Sequence, residues 1–99
     1  MTSFTDAQIE QALEGLPGWS QEGEAIVKSF ELADFEAAIA FINRAASAIS
    51  EMNHHPEWTN VYRHGVSVVD VKLTTHSEGG VTGLDIQLAR VLDRLHAAQ

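Results

Sequence analysis

A long apolar stripe that stops at a proline constrains this chain more than any other feature. Phe35, Ile39, Ile42, Ala46, Ile49 and Met52 recur at steps of three and four, the period of one helix face. The opposite face then carries Glu36, Asn43, Arg44, Ser47 and Ser50, and Asp34 is placed to cap the start. Pro56 cannot continue a helix and drives His55 out of the helical region, so the helix should end near Asn53.

On either side of this helix the period changes to two. Upstream, the turn signal Glu22-Gly23-Glu24 separates Trp19-Ser20 from the stretch Ala25 to Leu32. There Ile26, Phe30 and Leu32 share a strand face that Lys28 interrupts. Downstream, Trp58 to Tyr62 and Val66 to Thr75 flank a turn at His64-Gly65. Val69, Val71 and Leu73 face one way, Asp70 and Lys72 the other, with Asp70 read as simply solvated. Val66 and Val68 have the wrong parity, which predicts a bulge or a strand buried partly on both sides.

Two more helices frame these hairpins. Thr5 and Gln8 form a capping box, Phe4 and Ile9 a staple, and Ile9, Ala12, Leu13 and Leu16 a buried face that ends at Gly15, Pro17 and Gly18. Thr82 and Asp85 repeat the box, with Val81 and Ile86 as staple and Leu84, Leu88, Val91 and Leu95 inward. The order is α-β-β-α-β-β-α. It predicts an α+β fold: one domain over residues 1–99, with three helices packed on one face of a four-stranded, mainly antiparallel sheet.

Composition then removes whole classes of function. Six Lys+Arg against fourteen Asp+Glu leave a formal charge of −8, which repels polyphosphate and anionic membranes, so no nucleic-acid or membrane partner is expected. With no cysteine, disulfides, thiol nucleophiles and Cys-ligated metals are excluded. The first residues carry neither a basic nor an apolar leader segment, and the expectation is a cytoplasmic protein.

The remaining chemistry rests on histidine. A lone histidine is ordinarily a surface or satisfied core residue, a reading that serves His64 and His96. His54, His55 and His76 differ, because the predicted fold brings the helix exit and the end of the last strand together. The ring of Pro56 fixes the direction in which both adjacent imidazoles leave the helix. Imidazoles with a reference pKa near ~6.5 exchange protons at little cost at neutral pH, so such a cluster suits general acid–base catalysis. Adjacent His54 and His55 chelate poorly, and no metal is expected. Trp58 and Tyr62 read as core or sheet residues, Asp85 as a cap, and Gly79-Gly80 as a loop rather than a phosphate cradle.

The run His54-His55-Pro56-Glu57-Trp58-Thr59-Asn60-Val61-Tyr62, with Leu73-Thr74-Thr75-His76, Gly80-Val81-Thr82 and Asp85, resembles the pterin-4a-carbinolamine dehydratases. The likeness is near-continuous through the second half and looser in the first, at Gly18-Trp19 and the Phe30 to Phe35 junction. It implies an α+β fold of three helices on a four-stranded antiparallel sheet. It also implies elimination of water from 4a-hydroxytetrahydropterin, the product left by aromatic amino-acid hydroxylases, to give quinonoid dihydropterin. Pterin is then the substrate and no cofactor is needed.

By position, the resemblance makes His54 and His76 the acid–base pair and has His55 hold the substrate. Asn53, His54, His55, Thr74, Thr75, His76 and Ser77 grip the pterin edge, supported by Pro56, Trp58 and Asp85. Two departures stand out. Ser50 occupies a place that is often acidic in the family, with Glu51 one step on, and about four extra residues separate Tyr62 from His76. An even insertion preserves strand parity, so the His64-Gly65 turn would tip a lengthened hairpin. A homodimer or homotetramer is implied, with a hydroxylase as a further partner. The competing reading is a non-enzymatic binding or dimerisation module, because animal relatives partner a homeodomain transcription factor.

Overall fold

The computed structural model describes residues 2–98, so the two ends of the expected 1–99 domain lie outside it. The elements follow the predicted order: α1 (Asp6–Leu13), β1 (Ser20–Glu22), β2 (Ala25–Leu32), α2 (Phe35–Met52), β3 (Glu57–Arg63), β4 (Val66–Leu73) and α3 (Gly83–Ala97), with one 3-10 turn at His76–Glu78. Their starts are fixed by the predicted caps. Thr5 and Gln8 close a capping box on α1, Asp34 accepts from the Ala37 N–H at 2.8 Å, and Thr82 and Asp85 close the box on α3.

All strand pairs are antiparallel, in the order β1-β2-β4-β3. Residues of all three helices, among them Ile9, Phe41 and Leu88, share one core with Ile26, Phe30, Val69, Val71 and Leu73 of the sheet. The β3–β4 hairpin turns on two residues, His64 (φ 52°) and Gly65 (φ 84°), the positive-φ pair that matches strand twist. Pairing along β4 is unbroken on both sides, so there is no bulge. Val68 is instead buried on the outer face, opposite Val61 and Glu31.

The buried helix faces differ from the predicted stripes. On α2 the buried residues are Ala38, Phe41, Ala45 and Ile49, while Phe35 is 60% exposed and Ala46 lies outside. The two alanines let the helix approach the sheet, and Phe41 stacks 5.0 Å from Phe30. On α3, Ile86, Leu88, Ala89 and Leu92 are buried while Leu84, Val91 and Leu95 are half-buried. The predicted stripes are rotated from the buried faces, so they passed over large residues, Phe41 and Leu92, as well as the small Ala38, Ala45 and Ala89.

Two charged positions also acquire partners. Lys28, the exception on the inward face of β2, reaches Asp93 of α3 at 2.8 Å and the Pro17 carbonyl at 3.2 Å. Asp70 accepts from Arg63 at 2.9 Å and from Ser29, rather than standing alone in solvent. The Arg63 hydrogen bond, then that of Ser29, hold its carboxyl below the usual carboxylate range, and Asp70 in turn raises Arg63.

Candidate active site

The first component of the site is the end of α2. Asn53 is left-handed (φ 50°, ψ 43°), a conformation that asparagine tolerates better than most residues. Its N–H donates to the Ser50 carbonyl at 3.2 Å, and the His54 N–H reaches back to Ile49 at 3.3 Å. This paired closure reverses the chain at a fixed angle and sends His54 inward. His54 is buried, whereas Asn53 and His55 are exposed and Pro56 is half-buried. As expected of core or sheet residues, Trp58 packs against the core and Tyr62, 81% exposed, is a residue of the β3 strand.

The second component is the carboxylate of Asp85, which is fully buried in the first turn of α3. Its Oδ1 lies 2.6 Å from His54 Nε2. Its Oδ2 accepts from the Thr75 hydroxyl at 2.8 Å and from the Thr82 N–H at 2.9 Å. The Thr75 and Thr82 hydroxyls are themselves 2.8 Å apart. A buried carboxylate is tolerable only when donors surround it, and here three groups do so. The residue that caps the helix also joins the exit of α2 to the segment after β4.

That segment differs locally from the prediction. His76 does not end a strand: β4 stops at Leu73, and His76 opens the 3-10 turn, which Gly79 closes in the left-handed region. Thr75 is locked by paired backbone hydrogen bonds with Gly80, 2.9 and 3.3 Å. The Thr74 hydroxyl donates to the Glu24 carbonyl at 2.6 Å. His76 and Ser77 are exposed, and His76 Nε2 sits 3.4 Å from Glu57 Oε2. The two segments therefore meet twice, through Asp85 inside and through Glu57–His76 at the surface.

A cleft of about 480 Å³ opens beside His76, within the usual range for small-molecule sites. Lys72, Thr74, Glu57 and Gly79 line it together with the β1–β2 turn from Glu22 to Ala25. Neither His54 nor His55 is among its lining residues. No catalytic motif singled out Glu22, Glu24 or Lys72; the pairing of β2 with β4 brings the β1–β2 turn beside His76, and that of β3 with β4 sets Glu57 against Lys72. Among the described residues no group of three His, Asp or Glu side chains is placed to hold a metal, and no helix is long and apolar enough to cross a membrane.

A small α+β protein with one imidazole pinned by a buried carboxylate and another lining an open cleft has the groups for proton transfer. Residues 2–95 match the family model described as pterin 4 alpha carbinolamine dehydratase, and the chain belongs to that family. It is 47% identical over 94 residues to a protein of Bradyrhizobium diazoefficiens provisionally named pterin-4-alpha-carbinolamine dehydratase, covering 93% of this chain and 90% of the relative. A relative in Brucella ovis with the same provisional name is 44% identical, covering 93% of each chain. The crystal structure of a transcriptional coactivator/pterin dehydratase from Brucella melitensis superposes with a TM-score of 0.89 at 40% identity, covering 96% of this chain and 99% of that one.

Proposed function

We propose that the chain eliminates water from 4a-hydroxytetrahydropterin by histidine acid–base catalysis, and so returns the pterin of an aromatic amino-acid hydroxylase to use. The observation that carries the mechanism is the His54–Asp85 couple, 2.6 Å long and buried. Facing a carboxylate oxygen, Nε2 holds the proton, and Nδ1 is left as the free lone pair. In this reading the Nδ1 atom takes the N5 proton of the substrate. His76, exposed beside Glu57, delivers a proton to the departing 4a-hydroxyl. The C4a–O bond breaks, a C4a=N5 double bond forms, and water and quinonoid dihydropterin leave.

The other residues divide by what they can still offer. His55 is exposed next to the couple and holds the substrate, with Asn53 and Ser77 beside the two histidine segments. The Thr74 and Thr75 hydroxyls are already engaged within the protein, so these residues position the site. Acid–base catalysis of this kind supplies about 10²–10⁴-fold. Purified protein at micromolar concentration should accelerate dehydration of 4a-hydroxytetrahydropterin over buffer; an unchanged rate would refute the proposal. The Brucella melitensis relative, whose name joins coactivator to dehydratase, keeps protein binding as a second reading. A protein partner retained after His54, His55 and His76 are all changed to alanine would support it.

A further inference from the structure

We infer that the β1–β2 turn forms a wall of the substrate cleft and selects pterins by the charge of their C6 side chain, rejecting anionic ones. The inference rests on the dehydratase reading, and it concerns residues outside the histidine set.

The turn is part of the site by construction. Register pairs Ile26 with Leu73, so the turn preceding β2 lies against the chain leaving β4. Thr74 clamps it there through the 2.6 Å bond to the Glu24 carbonyl. Glu22 and Glu24 thereby line the same cleft as His76. The charged groups in this cleft are Glu22, Glu24, Glu57, Lys72 and His76. Three carboxylates face the Lys72 ammonium and His76, an excess of two negative charges while His76 is neutral and of one once it carries the proton it delivers. A neutral hydroxylated side chain can donate hydrogen bonds to these carboxylates, whereas an anionic one meets net repulsion.

The expected size follows from Coulomb's law. Each excess charge acting through water on an anion at roughly 6 Å disfavours it about threefold, so the preference for the neutral compound is about three- to tenfold. Because Glu22 and Glu24 are exposed, salt must weaken the effect.

The test compares two 4a-hydroxytetrahydropterins, one with a neutral hydroxylated C6 chain and one whose C6 chain ends in a carboxylate. Wild type is measured beside the double variant Glu22→Gln/Glu24→Gln, with folding checked by circular dichroism. Binding of the corresponding oxidised pterins is followed by fluorescence. Wild type should favour the neutral compound about three- to tenfold in kcat/KM and in Kd, and the double variant or high salt should abolish this preference. Turnover with a ratio that the variant and salt leave unchanged overturns the inference alone. Binding without turnover overturns the dehydratase reading, and the Kd ratio still decides the charge selection. If neither pterin binds, both fall.

Discussion

The Nε2 of His54 lies 2.6 Å from Oδ1 of Asp85, and that same carboxylate closes the capping box of α3. One residue therefore serves helix initiation and the candidate chemistry together, and substitutions separate the two roles. Asp85→Asn keeps a side-chain oxygen for the Thr82 N–H but removes the charge that orients the imidazole. Its kcat should fall at least about 10²-fold, while the chain still folds. Asp85→Ala loses the cap as well and strands the Thr75 hydroxyl. It should cost about 2–4 kcal/mol in urea denaturation.

His54 and His76 should lose comparable activity for different structural prices. Alanine at either position should lower the dehydration rate by one to three orders of magnitude. His54→Ala also leaves one oxygen of a buried carboxylate unpaired, so stability should drop by about 1–3 kcal/mol. His76 is exposed, and its removal should stay within about 0.5 kcal/mol of wild type. Thermal melts beside single-turnover rates check both, and normal turnover in either variant would remove it from the acid–base pair.

The hairpin tip offers a gain of stability. His64 carries a positive φ of 52°, where asparagine is the better residue. His64→Asn should therefore raise stability by about 0.5 kcal/mol, and His64→Val should lower it, with activity in both cases close to wild type. A melting temperature that moves the other way in either variant would count against the turn as described.

Acid should act through Asp70. Its folded pKa is depressed, first by Arg63 and then by Ser29. The contribution is therefore complete above the unfolded carboxyl pKa of about 3.9 and is lost as pH falls through the lower folded value. Asp70→Asn should thus be less stable than wild type at neutral pH, and the gap should close on acidification below about pH 4. Denaturation midpoints of the two proteins at several pH values read this directly; a gap that widens in acid would contradict the assignment.

Element order and caps were legible because each has a local cause. Thr5-Gln8, Asp34 and Thr82-Asp85 state where helices begin, and Pro56 with Asn53 states where α2 ends. The His-His-Pro motif and the distal threonine-histidine pair pointed to two segments that the structure joins through Asp85 and through Glu57. Which helix face packs inward was not local. Ala38, Ala45 and Phe41 are chosen by the shape of the sheet, so a stripe through Phe35 and Ala46 missed them. Nor could spacing show that His76 leaves the strand for a 3-10 turn. The cleft wall at Glu22 and Glu24 depends on a long-range register between β2 and β4 that no short motif encodes.

The Asp85 hub also bears on how this protein would fail. The hydrogen bonds that hold His54 are the ones that start α3, so fraying of that first turn and disassembly of the histidine couple are a single event. Heating should consequently yield no long-lived species that is intact by circular dichroism yet dead by assay. The half-life of activity and the half-life of the native helix signal should run together.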